Sequence, residues 1–223
     1  MIVPQKLEIA VGSAGSVSAL LIRPAKARAC YVFAHGAGAG MTHSFMEAAT
    51  QGMADRGIAS LRYQFPYMEK GSKRPDPPAV AHAAVRSAVA EAARHCPKLR
   101  LIAGGKSFGG RMTSQAQAKA PLDGVDGLTF FGFPLHPAGK PSDDRAKHLS
   151  EVKIPMLFLQ GTRDTLAELS LLELVIKRLG PKATLHRVEG ADHSFHVLAR
   201  SGRNDREVMD EILDAFAEWI DGL

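Results

Sequence analysis

The sequence predicts an α/β protein: a mostly parallel sheet with an antiparallel N-terminal edge and helices on both faces. Three observations carry that prediction. Residues 30–34, 99–103 and 156–159 are short, largely apolar runs, as strands buried on both faces must be. From residue 29 onward such runs alternate with helix-compatible segments, which is the crossover pattern of parallel strands. At 223 residues, with no internal repeat or low-complexity tract, the chain fits one domain spanning residues 1–223 with a substantial core.

In order, residues 7–11 and 16–22 alternate apolar with small or polar side chains around a glycine-bounded turn at 12–15, predicting an antiparallel hairpin. A strand over 29–34 runs into His35-Gly36-Ala37-Gly38-Ala39-Gly40. Ser44 and Glu47 have the spacing of a capping box and predict a helix over 44–56. Residues 58–63 form the next strand, and the Pro-, Gly- and charge-rich stretch 65–78 a loop. An alanine-rich helix over 77–95 precedes a strand at 99–103, a helix at 108–119 and a strand at 127–131. A strand at 155–160, a helix at 166–179, a strand at 183–188 and a helix at 204–220 complete the series. In such a sheet, ligands lie beyond the carboxyl ends of the strands.

Composition narrows the function. The formal charge of +5 is spread along the chain and mixed with acids, and the small basic clusters at 70–74 and 200–206 predict a solvated surface, with no nucleic-acid partner. The two cysteines, Cys30 and Cys96, have no paired spacing and read as ordinary thiols. Residues 1–10 lack a basic region followed by a long apolar run, and no segment is apolar enough to cross a membrane, so the expected location is cytoplasmic without membrane attachment. Nothing in the sequence predicts the oligomeric state.

The strand at 99–103 leads straight into Gly105-Lys106-Ser107-Phe108-Gly109. A sharp strand-to-helix turn exposes the residue at its apex, and glycines on either side remove side chains that would collide there, so Ser107 is the candidate nucleophile. Gly110 lets the following helix approach the sheet, and the first amides of that helix face the same space. A serine hydroxyl needs a base to take its proton and a carboxylate to orient that base. Asp164 and His193 both follow predicted strands and lie downstream of Ser107. Asp192 adjoins His193 and is a poor orienter; Asp143 and Asp144 lie in a polar loop, His186 lies inside a strand, and His196 is a turn beyond His193. A helix N-cap is the structural alternative for Asp164. For the oxyanion, the backbone amides of Ala37 and Phe108 are the expected donors, with Gly38 as the alternative to Ala37. His35, His43, Asp164 and His193 are possible metal ligands without ligand spacing, so no metal is expected.

With these parts in order, the chain resembles the α/β-hydrolase superfamily over nearly its whole length. Arg62-Tyr63-Gln64-Phe65-Pro66-Tyr67, Pro75-Asp76-Pro77-Pro78, Gly104-Gly105-Lys106-Ser107-Phe108-Gly109-Gly110-Arg111 and Gly190-Ala191-Asp192-His193-Ser194-Phe195 are similar to a small lid-less branch near dienelactone hydrolases, which includes testis-expressed-type predicted hydrolases. The resemblance implies a single-domain α/β-hydrolase fold, a Ser107-Asp164-His193 triad, acyl-transfer chemistry and no cofactor. Dienelactone hydrolases proper carry cysteine at the elbow, so their substrate is not carried over to Ser107. Only residues 132–153 separate two strands where many relatives insert a helical cap, so no cap domain is expected. The pocket should then be shallow and rimmed by 65–78 and 133–145, with Tyr67, Lys106, Phe108, Met112 and His136 as candidate lining. The expected activity is serine hydrolysis of a small carboxylic ester or thioester. The alternatives are a peptidase, a metal-dependent hydrolase or a scaffold protein that kept the fold.

Overall fold

Strand β3 (Ala29–Ala34) is buried along its whole length, and its side chains feed two separate cores by alternation. Cys30, Val32 and Ala34 point to one face, Ala29, Tyr31 and Phe33 to the other. The computed structural model describes residues 2–223. The other strands are β1 (Gln5–Ala10), β2 (Ser16–Ile22), β4 (Ile58–Tyr63), β5 (Arg100–Lys106), β6 (Val125–Phe131), β7 (Met156–Gly161) and β8 (Ala183–Val188). They form one sheet in the order β1-β2-β4-β3-β5-β6-β7-β8. β1 pairs with β2, and β2 with β4, antiparallel; every other pair is parallel. The predicted class and edge hairpin are both present.

Helices α1 (Ser44–Asp55) and α6 (Asp205–Asp221) cover one face, packing Met46, Ala49 and Met53 beside Ile212, Leu213 and Phe216. Tyr31 and Phe131 contribute rings to this layer, with centroids 4.9 and 5.9 Å from Phe216. The opposite face carries α3 (Pro78–His95), α4 (Phe108–Lys119) and α5 (Leu169–Leu179). The inward stripe of α3, which includes Ala81, Ala84, Ala88 and Ala92, is made of small side chains that allow close packing on the sheet.

Local differences have physical causes. The cap of α1 is His43, not Ser44: His43 has the extended backbone of an N-cap and its Nδ1 accepts the Phe45 N–H at 3.2 Å, while Ser44 lies in the first turn. A capping box occurs instead at α6, where Asn204 accepts from Glu207 N–H and the Glu207 carboxylate accepts from Asn204 N–H. The stretch predicted as a loop contains a single helical turn, α2 (Pro66–Glu69), started by Pro66 at its first position. Helix α5 begins at Leu169, because residues 165–167 form a turn and Glu168 before the helix has extended ψ (+122°). Between β6 and β7 lies only a 3-10 segment, Asp144–Glu151, which buries Ala146 and Leu149 against the core. Among the described residues no helix is long and apolar enough to cross a membrane.

Candidate active site

The passage from β5 to α4 is a strained turn. Ser107 has φ +51° and ψ −115°, a region that residues with a side chain rarely adopt. The flanking glycines make the turn possible: a Cβ on Gly105 would lie 2.4 Å from the Ala34 carbonyl oxygen, and one on Gly109 2.5 Å from the same atom. The Ser107 side chain is thereby left at the carboxyl edge of the sheet.

Two other strand ends meet it. His193, in the loop after β8, places Nε2 2.8 Å from the Ser107 hydroxyl. Its Nδ1 is 2.6 Å from Oδ2 of Asp164, which follows β7 and is 4% exposed. That carboxylate also accepts from Gln160 Nε2 at 2.5 Å and from the Leu166 N–H at 2.8 Å. Both of these partners are obligate donors, so the carboxylate is an acceptor towards His193 as well. His193 then carries its proton on Nδ1 and presents a bare Nε2 to the Ser107 O–H. Asp164 contacts His193 through one oxygen and the turn at residues 165–167 through the other; the N-cap of α5 is Glu168, so the helix-cap alternative for Asp164 is not met.

The remaining candidates lie elsewhere. Asp192 accepts the Ser194 and His196 N–H groups and braces its own loop. His186 pairs with Glu211, His196 with Asp205, Asp143 with Arg178 and Asp144 with Lys147. His35 is fully buried, donates from Nδ1 to the Gly36 carbonyl at 2.8 Å and accepts the Phe65 N–H on Nε2 at 3.0 Å. Burial pushes its pKa down to about 4, so it is neutral, and both ring nitrogens are already committed to backbone.

Lys106 lines the same pocket as Ser107 and His193. Its Nζ donates to the His193 carbonyl at 2.5 Å and stands over the rings of Phe195 (5.3 Å) and Phe45 (5.8 Å). Desolvation lowers its pKa to about 8, against the opposing pull of Asp164 and Asp192. The loop after β3 closes over the site with an Ala39 N–H to Gly36 O bond of 3.3 Å. The Gly38 N–H is taken by the Tyr67 hydroxyl at 3.1 Å. Among the described residues no acceptor engages the Ala37 or Phe108 N–H.

Ser107 and His193 border a cavity of about 370 Å³ whose walls include Ala37, Ala39, Phe45, Met46 and Leu166. Of the predicted lining only Lys106 takes part. Tyr67, Met112 and His136 are buried, with His136 accepting the Glu168 N–H, and Phe108 packs its ring on Phe65 and Tyr67. Part of the wall is the start of α1 with its cap His43, which follows directly on the glycine loop after β3. Sequence reasoning missed this wall; the apolar Phe45 and Met46 soon after the glycine loop were its only sign.

A sequence profile described as alpha/beta hydrolase domain matches residues 27–221. Among solved structures, the chain is similar to a serine hydrolase without lid from Xanthomonas campestris, with 18% identity, TM-score 0.74 and 97% and 95% of the two chains covered. It is also similar to a dienelactone hydrolase from Anabaena variabilis, with 19% identity, TM-score 0.75 and 98% of each chain covered. An esterase from Pyrococcus furiosus is similar at 14% identity and TM-score 0.76, covering 99% of this chain and 92% of that one. These identities speak to the fold, and the fold is the one whose sheet brings three strand ends to Ser107. With the profile spanning all but the N-terminal hairpin and the last two residues, the chain belongs to the α/β-hydrolase family.

Proposed function

We propose that the protein is a serine hydrolase of small carboxylic esters or thioesters, working through an acyl-enzyme on Ser107. The observation that carries this reading is the unbroken line from Ser107 through His193 to Asp164, with contacts of 2.8 and 2.6 Å. His193 takes the Ser107 proton as the oxygen attacks the carbonyl carbon, and the same proton then passes to the leaving group. Asp164 keeps Nδ1 protonated and stabilises the imidazolium. The Ala37 and Phe108 amides receive the oxyanion, a contribution of roughly a hundredfold or more per donor. Water, activated by His193, then releases the acid and restores Ser107.

Substrate class follows from the cavity. Its apolar walls favour an uncharged acyl group, and about 370 Å³ limits its size. The p-nitrophenyl ester series, from acetate to long acyl chains, tests both the reaction and this preference. Short esters should turn over, and Ser107→Ala should lower kcat/KM by at least about a thousandfold. A fluorophosphonate should label the wild type and not the variant. Equal inertness of two folded proteins, with no labelling, would favour a scaffold that kept the fold.

A further inference from the structure

Six consecutive residues, 62–67, send four hydrogen bonds into the glycine loop at 35–41. Arg62 Nη1 donates to the Met41 carbonyl at 3.1 Å, and Gln64 Oε1 accepts the Met41 N–H at 2.8 Å. The Phe65 N–H donates to His35 Nε2 at 3.0 Å, and the Tyr67 hydroxyl accepts the Gly38 N–H at 3.1 Å. The two ends of the loop and its middle are therefore all held from one short segment, most of it buried.

The loop needs that support. Residues 36–40 alternate glycine and alanine and carry no polar side chain, so only backbone bonds decide their conformation. Their internal bonds are long, 3.3 Å for Ala39 N–H to Gly36 O and 3.4 Å for His43 N–H to Gly40 O. In the turn from Gly36 to Ala39, Gly38 has φ +74°, and a glycine there also tolerates the turn in which the Ala37–Gly38 peptide is flipped. An acceptor at the Gly38 N–H selects between these two states. Tyr67 is itself held firmly in place, since its own N–H donates to Asp76 at 2.9 Å and its ring packs on Phe65, His35 and Phe108.

We propose that Tyr67 is a positioning residue for the transition-state oxyanion, its hydroxyl holding the Ala37–Gly38 peptide so that Ala37, and not Gly38, offers its amide to Ser107. This rests on the serine-hydrolase reading above. The phenol does not touch the substrate; it holds the peptide that follows the Ala37 amide and, through the Phe65 and Tyr67 rings packed on Phe108, supports the other donor.

Tyr67→Phe removes one oxygen and keeps the packed ring. With p-nitrophenyl acetate, kcat should fall about tenfold while KM stays within about twofold, because a misplaced donor weakens only the transition state. Affinity for phenylboronic acid, which forms a tetrahedral adduct on the serine, should fall by the same factor as kcat/KM. Unchanged kcat and boronate affinity would overturn the proposal, and so would a rise confined to KM, which signals a substrate contact. Residue-resolved amide exchange of the wild-type protein checks the brace without any variant: Gly38 should exchange more slowly than Ala37, and equal rates overturn the proposal even if Tyr67→Phe fails to fold. If the wild type neither turns over esters nor labels with fluorophosphonate, the hydrolase reading has failed by itself. The catalytic role of Tyr67 falls with it, whatever the exchange rates show.

Discussion

Asp164 shows how much one side chain decides. Its carboxylate sits between two fixed donors, Gln160 and the Leu166 amide, so its geometry towards His193 does not depend on His193 itself. Asp164→Asn would keep the size but put an NH₂ group where only acceptors are satisfied, turning either Gln160 or the imidazole to the wrong state. With His193 protonated on Nε2, it no longer accepts the Ser107 proton. The expected result is a fall in kcat of roughly ten-thousandfold with KM little changed. Steady-state kinetics on the short esters would check it, and wild-type turnover in a folded variant would remove His193 as the base. Lys106 acts at the same scale by a different route, tying the His193 carbonyl to the strand that ends in the nucleophile.

At the scale of elements, the site depends on how closely α4 approaches β3. Gly109 lets the first turn of the helix rest on the end of that strand, and a Cβ there would meet Ala34 backbone atoms at 2.5 and 2.6 Å. Backbone cannot swing aside as a flexible side chain can. Gly109→Ala should therefore destabilise the protein by about 3 kcal/mol and move Ser107 away from His193. Urea unfolding with a parallel labelling assay would read both effects; a variant as stable and as reactive as wild type would show that the contact yields easily. By contrast, the hairpin of β1 and β2 lies at the far edge of the sheet from β7 and β8, which lead into Asp164 and His193.

For the molecule as a whole, burying neutral histidines links stability to pH. His35 and His148 are both pushed from 6.5 down to about 4, chiefly by desolvation, and His82 is shifted the same way. The unfolded chain takes up these protons below about pH 6.5 while the folded protein does not, so stability is complete above that value and declines as pH falls towards 4. Fully buried His35 alone should cost about 2–3 kcal/mol between pH 7 and 4.5. The raised pKa of His196 acts oppositely, but that side chain is exposed beside Asp205 and its contribution is screened. Denaturation midpoints at pH 7, 5.5 and 4.5 should fall in that order; a flat or rising series would mean that His35 takes up a proton in the folded state.

The places of Ser107, Asp164 and His193 were legible in the sequence because each is announced locally, by an apolar strand that ends in a turn. The alternation of such strands with helices likewise determined the fold class, since burial on both faces leaves an apolar run and a parallel crossover needs a helix. The capping box at Ser44 was misread because a cap depends on which residue has extended backbone, and His43 took that place. The pocket wall was misplaced for a related reason: which loops overhang Ser107 depends on the path of the chain across the sheet edge. The sequence put Ala37 first as a donor and kept Gly38 as the alternative, in a run of glycine and alanine with no side chain to separate them. What the tertiary structure adds is that Tyr67, distant in sequence, occupies the Gly38 amide, while among the described residues no acceptor engages that of Ala37. Sequence alone determined the strand ends and the side chains that follow them, whereas contacts between segments far apart in the chain decided which backbone groups and which walls face them.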